Sequence, residues 1–334
     1  MKRIGDLYNK IASIENLVLA DQKARKGKTK SYGVLKHDKK REQNIFNLHK
    51  VLVKREFKTS KYKIFKIYEP KEREIYQLPY YPDRIVHHAI MNILEPIWVS
   101  IFTADTYSCI KGKGIHAALK DLKKDLRNNK DETTYCLKLD IRKFYPSINH
   151  DIMKQIIRRK IKDRDLLQLL DNIIDSADGV PIGNYLSQYF ANLYLAYFDH
   201  WIKAEKGLKF YYRYADDMVI LHNDKEYLHY LFKEIEAYLS DSLKLKIKDN
   251  WQVFPVEKRG IDFVGYVFYH TYVLLRKSIK QNFCRKVAKL NKKEISIETY
   301  KREICSWLGW CYYCNSNNLL NITIKKEFHE IILR

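Results

Sequence analysis

The sequence has no run of about 18 uninterrupted apolar residues, the length a bilayer-spanning helix requires, so no membrane span is expected. The N-terminus begins basic at Lys2 and Arg3, but Asp6, Lys10 and Glu15 break up the apolar core that a secretory signal needs. Six cysteines scattered over 334 residues are too sparse for the disulfide framework of a small secreted domain. Internal repeats and low-complexity tracts are also lacking. Acidic residues are in short supply: 40 Asp and Glu face 62 Lys and Arg, leaving a formal net charge of +22. Such an excess says little about fold and much about partners, which should be polyanions: nucleic acid or an acidic membrane surface. What is present is a real core. Hydrophobic residues at 46% and aromatics at 13% exclude wholesale disorder, and the length suits two or three packed units or one large fold with subdomains. A soluble, cytoplasmic, polyanion-binding protein is expected.

Apolar residues from Ile4 to Val18 recur at helical spacing, predicting an opening amphipathic helix. A basic run from Lys23 to Arg41 follows, either a solvated arm or a segment that contacts phosphate. Lys63–Tyr68 and Arg73–Tyr76 alternate like strands on either side of Glu69-Pro70-Lys71-Glu72 and predict a hairpin. Helical spacing returns between Arg84 and Ile101. Tyr135–Ile141 has period 2, with Asp140 on the less apolar face. A turn at Asp178-Gly179-Val180-Pro181 leads into a helical stripe from Leu186 to Trp201. Phe210–Leu221 is strand-like on both sides of Asp216-Asp217, which sits at a hairpin tip, and Ile261–Tyr269 reads as one further strand. The remainder is helical, with Phe283, Val287 and Leu290 on one face and Tyr300, Ile304, Trp307, Leu308 and Cys311 on another. The class is α+β with an antiparallel sheet.

Two acidic segments interrupt apolar strands: Asp140, and Asp216-Asp217. Burying a carboxylate is costly unless it is paired or binds metal. Asp is common at hairpin tips, so one such pair alone means only a turn; two segments together ask for a chemical reason.

Leu137-Lys138-Leu139-Asp140-Ile141-Arg142-Lys143-Phe144-Tyr145-Pro146-Ser147-Ile148 and Tyr214-Ala215-Asp216-Asp217 resemble the two metal-binding motifs of reverse transcriptases. The resemblance covers most of the chain. Asp83-Arg84-Ile85-Val86-His87, Thr106 to His116, Gly179-Val180-Pro181-Ile182-Gly183 and Gly260-Ile261-Asp262-Phe263-Val264-Gly265-Tyr266 are similar to further blocks of that family, in the family's order. It implies a right-hand polymerase, with an N-terminal extension, fingers and part of the palm over 1–134, the palm with its catalytic motifs over 135–275 and a helical thumb over 276–334. The implied activity is RNA-directed DNA synthesis with two Mg²⁺ ions, for which Mn²⁺ can substitute. Asp140 and Asp216 would bridge the metals with Ile141 beside them, and Asp217 would assist from the edge, because adjacent strand residues point apart. Lys71 and Arg73, on the hairpin, would face the triphosphate. Tyr145 would lie under the incoming sugar and reject a 2′-hydroxyl; related RNA-copying RNA polymerases usually have an acidic residue there and Gly-Asp-Asp at the hairpin. Ile182, Gly183 and Gln188 would line the nucleotide site, while Arg142, Lys143, Gly265 and Tyr266 would contact primer or template.

Most of the family reads Gln-Gly-x-x-x-Ser-Pro where this chain reads Ile182-Gly183-Asn184-Tyr185-Leu186-Ser187-Gln188. The double departure resembles the enzymes of diversity-generating retroelements, found in bacteria and phages. These copy a template-repeat RNA with errors at adenine and work with a small basic pentameric accessory protein. A Gln amide can hydrogen-bond a nascent base pair, whereas Ile offers only shape, so the exchange is expected to relax discrimination by roughly 1–3 kcal/mol. Template RNA, a primer or cDNA strand and dNTPs are the implied partners. The alternatives are another stand-alone bacterial reverse transcriptase, group II-derived or abortive-infection in type, and a catalytically silent RNA-binding scaffold. Cys311-x-x-Cys314 is two thiols short of a zinc site and reads as buried thiols; His87-His88, in a helix, reads as structural or RNA-adjacent.

Overall fold

In the computed structural model, residues 3–68 and 72–329 are described. The chain forms two compact units, each assembled from three separate segments.

The first unit comprises Met1–Cys109, Ile141–Lys206 and Glu236–Ile247. Its opening helical stripe is two helices, Tyr8–Ala12 and Ile14–Ala24, because Ser13 is extended between them and its hydroxyl caps the second by accepting from the Asn16 N–H. The basic run that follows is folded, into helices Tyr32–Asp38 and Arg41–Val53. Its organiser is Asp21, fully buried, which takes Arg25 at 2.9 Å, Arg41 at 2.7 Å and the Tyr80 hydroxyl at 2.6 Å. Strands β1 (Lys63–Ile67) and β2 (Arg73–Gln77) form the expected antiparallel hairpin, with Phe65 opposite Ile75. The core is carried by helices Ile85–Val99 and Tyr185–His200. Twelve residues of the second are buried, because it is apolar all round rather than along one stripe.

The second unit comprises Ile110–Asp140, Gly207–Ile235 and Lys248–Arg334. Strands β3 (Tyr135–Asp140), β4 (Phe210–Tyr214), β5 (Asp217–His222) and β6 (Gln252–Pro255) form an antiparallel sheet in the order β4-β5-β3-β6. The Ile115–Asn128 helix packs on β4 through Ala118, Leu119, Leu122 and Leu126.

Ile261–Tyr269 is not one strand. It is a hairpin of β7 (Ile261–Phe263) and β8 (Tyr266–Phe268), which β9 (Val273–Leu275) extends into a three-stranded sheet. Val264 and Gly265 turn the chain with φ of 44° and 92°; Gly265 suits that conformation, whereas Val264, a strand former, conceals it. Helices Lys277–Asn291 and Ile297–Cys311 then pack together, burying the two apolar faces expected of them except for Trp307, which is half-buried. The architecture is α+β, and among the described residues no helix is long and apolar enough to cross a membrane.

Candidate active site

The three carboxylates meet at one end of the four-stranded sheet. In β3, Leu137 and Leu139 point to one face while Lys138 and Asp140 share the other, as strand alternation requires. The register places Asp140 directly opposite Asp217, which also pairs with Tyr214 of β4. Residues opposite each other project from the same face, so two like charges confront one another there. Asp216 lies in the turn between β4 and β5, after Ala215 at a φ of 56°. The fully buried Arg213 supports that turn by donating to the Ala215 carbonyl at 3.0 Å. Asp217 therefore opens a strand rather than forming the tip itself.

This crowding shows in the proton affinities. Burial, and then the neighbouring Asp140, push the Asp216 carboxyl up to about 6 against the pull of Lys248. Burial pushes Asp217 up to about 7; Asp140 and Asp216 add to the shift, while Lys138 and Arg276 oppose it. Two lysines offset part of the repulsion. Lys248 donates its ammonium to Asp140 Oδ2, and its backbone N–H reaches the Asp140 carbonyl at 2.9 Å. Lys138 Nζ stands 3.8 Å from Asp217 and also donates to the Asp262 carbonyl, while the Asp262 carboxylate takes Arg276 at 2.6 Å. Neither lysine was singled out from the sequence. Lys138 could have been, since it alternates onto the Asp140 face; Lys248 lies 108 positions from its partner, among several similar lysines, and leaves no local signal.

Asp140 Oδ1 and Asp217 Oδ1 are buried and have no hydrogen-bond partner among the described residues. Orphaned carboxylate oxygens beside a mutual repulsion are suited to a hard divalent cation. With Lys248 on Asp140, however, no group of three or more His, Cys, Asp or Glu among the described residues is closed into a ready metal cage.

Other expected site residues lie in the first unit. Ile141 is fully buried and bridges to Ile247. Arg142 and Lys143 are exposed, the latter with a φ of 46°, and the Arg142 N–H donates to the Lys246 carbonyl. Tyr145 is half-buried, and its carbonyl accepts from the Val180 N–H at 2.9 Å. Gly179 makes that approach possible, since a Cβ there would stand 2.6 Å from the Tyr145 and Pro146 carbonyl oxygens.

The Ile182 carbonyl accepts from the Tyr76 N–H at 2.8 Å, and a Cβ on Gly183 would lie 2.7 Å from the Tyr76 carbonyl oxygen. The hairpin carrying Arg73 is thus joined backbone to backbone to the Ile182-Gly183 block. Arg73 and Gln188 are exposed; Lys71 lies outside the described residues.

Gly265 and Tyr266, back in the second unit, are turned inward. A Cβ on Gly265 would meet the Trp310 ring at 2.5 Å, and the fully buried Tyr266 donates its hydroxyl to the Trp310 carbonyl. Whatever Gly265 and Tyr266 offer a ligand, they offer through backbone. Among the other candidates, His87 is buried, His88 stacks on Tyr185, and Cys311 is buried.

Residues 69–268 match the family model described as reverse transcriptase (RNA-dependent DNA polymerase). Protein YkfC of Escherichia coli is 24% identical over 233 residues, 57% of this chain and 61% of that protein. The group II intron-encoded protein LtrA of Lactococcus lactis is 23% identical over 193 residues, 53% of this chain and 31% of that protein. In structure the chain resembles apo telomerase from Candida tropicalis, with a TM-score of 0.50 and 13% identity over 83% of this chain and 62% of that one. The chain thus spans less than two thirds of the relatives it matches.

Proposed function

The chain belongs to the reverse transcriptase family, and from that premise we propose that it synthesises DNA on an RNA template. The observation that carries this reading is the carboxylate end of the sheet: Asp140, Asp216 and Asp217 brought together, with two buried carboxylate oxygens that accept no hydrogen bond. Asp140 and Asp216 would hold Mg²⁺, with Ile141 beside them and Asp217 assisting. Two such ions, when bound, ease ionisation of the attacking 3′-hydroxyl and departure of pyrophosphate. The protein's own contribution is positional. Arg73, on a hairpin fastened to Ile182-Gly183, would take triphosphate oxygens, with Lys71 on the same hairpin. Gln188 would lie near the same nucleotide. Tyr145 would deny space to a 2′-hydroxyl. Arg142, Lys143 and the Gly265-Tyr266 backbone would steady primer and template. Fingers over 1–134, palm over 135–275 and thumb over 276–334 belong to this reading.

Within the family, the Ile182 to Gln188 block favours an enzyme of a diversity-generating retroelement. It would copy a template-repeat RNA with errors at adenine beside a small basic pentameric accessory protein. The similarity to a group II intron-encoded protein favours a second reading, a stand-alone enzyme of group II ancestry that copies accurately. Mg²⁺-dependent primer extension on a defined RNA, with sequenced products and Asp216→Asn as control, separates them. Synthesis lost in Asp216→Asn supports the polymerase, and errors concentrated at template adenines support the retroelement enzyme. Accurate products support the second reading. Absence of synthesis even with candidate RNA and accessory protein supplied, or full activity in Asp216→Asn, leaves an RNA-binding scaffold.

A further inference from the structure

A groove in the second unit carries charge that the catalytic reading does not use. It runs along the Ile115–Asn128 helix and is closed at one end by Tyr312 and Tyr313. His116, Lys120, Lys124 and Arg127 follow one another at four-, four- and three-residue steps, which puts them on one face of the helix, with Lys123 beside them. Lys120, Lys123, Lys124 and Arg127 have no ion-pair partner among the described residues. Of the helix's two acidic residues, Asp125 is engaged elsewhere, accepting from the Tyr212 hydroxyl of β4 at 2.5 Å, and Asp121 does not line the groove. At the tyrosine end, the exposed His116 ring stacks on Tyr313 with centroids 3.8 Å apart, and Tyr312 is 73% exposed.

We infer that this groove is a second nucleic-acid site, one that takes an unpaired stretch of RNA rather than the paired primer and template. The cations would follow the phosphates, and the aromatic end would stack a base. Stacking of that kind requires bases free of a partner strand. The dimensions agree: His116 to Arg127 spans about 16 Å of helix, the rise of four to five stacked nucleotides at about 3.4 Å each. The choice of RNA as the polyanion rests on the proposed polymerase reading; the charge and the exposed rings do not.

The test is fluorescence anisotropy with labelled oligouridine in EDTA, so that catalysis plays no part. Lys120→Glu/Lys124→Glu/Arg127→Glu is expected to weaken binding roughly tenfold or more and to make the log–log salt dependence shallower by about 2. Tyr312→Ala is expected to weaken oligouridine but not polyphosphate. Primer extension by the triple variant on a short, saturating, fully paired hybrid is expected to match the parent. If charge reversal lowers the melting temperature, the corresponding triple Ser variant gives the same readouts. Unchanged oligouridine binding overturns the inference. So does an equal loss of polyphosphate in Tyr312→Ala, which would assign the groove to any acidic polymer. Parallel loss of extension on the short hybrid also overturns it, by assigning the groove to the primer–template path. A parent protein that binds oligouridine through these residues but extends nothing would sink the polymerase reading and leave this site standing.

Discussion

Asp21 and Asp217 show how differently a buried carboxylate can be held. Burial alone would raise the Asp21 pKa, but hydrogen bonds with His37, Tyr80, Arg41 and Arg25 outweigh it and hold the group well below the usual range. A depressed native pKa stabilises the fold above the unfolded value of about 4 and loses that contribution as pH falls further. Asp21→Asn should therefore cost about 1–3 kcal/mol at neutral pH, because Arg41 loses its ion pair while Arg25 keeps Asp38. Chemical denaturation should show the gap narrowing below about pH 4, and equal stability at pH 7 would refute the assignment. Asp217 is the reverse case. Its native pKa is raised, so ionising it opposes folding, and the penalty appears as pH climbs from about 4 to 7 and stays above that. In EDTA at pH 8, Asp217→Asn should melt higher than the parent, and in Mg²⁺ it should lose primer extension. A variant that melts lower would mean that its contacts, not its charge, dominate. A carboxylate kept where it harms stability is one kept for what binds there.

At the scale of elements, the sequence was most legible where a single local pattern decides the outcome. Alternation in Tyr135–Asp140 and the acidic pair between two apolar strands located β3, β4 and β5, and the Pro-containing turn located the β1–β2 hairpin. It was least legible where partners are distant or a turn's single glycine sits inside an apolar run. The hairpin inside Ile261–Tyr269 hides behind Val264, and the folding of the basic N-terminal run depends on Asp21 meeting Arg41 and Tyr80. The join between Tyr76 and Ile182 is likewise long-range and backbone-only, so no side-chain pattern announces it. It carries a prediction for the nucleotide site. Gly183 sits at a φ of 121° with no room for a Cβ against the Tyr76 carbonyl, so Gly183→Ala must push the hairpin off that block. With Arg73 displaced, KM for dNTP should rise roughly tenfold or more, while kcat falls less. Arg73→Ala should reproduce the KM effect, since a lost charge-assisted contact is worth about 1.5–3 kcal/mol. Unchanged KM in both variants would remove the hairpin from the triphosphate site.

Over the whole molecule, the charge of +22 is not a uniform coat. Arg25 and Arg41 close on Asp21, Arg158 on Asp171, Arg55 on Asp165 and Lys209 on Glu132, so these cations are offset by their partners and the surplus lies among the others. What remains exposed is grouped, notably on the Ile115–Asn128 helix and as Arg142 and Lys143 after β3. Grouped cations grip a polyphosphate backbone by releasing its counterions, and each contact adds about 0.9 to the log–log salt slope for a duplex and about 0.7 for a single strand. The four cations of the helical groove alone would give a slope of about 3. A primer–template held by the protein as well should bind more steeply. With six to ten phosphate contacts, affinity should drop roughly 10³-fold or more between about 50 and 200 mM salt. Titrating a labelled RNA–DNA hybrid with an unpaired RNA tail across that range measures the total. A hybrid lacking the tail should lose the groove's share and nothing else. A total slope no steeper than about 3 would mean that the groove is the whole nucleic-acid surface, and that the paired primer and template are not gripped through their phosphates.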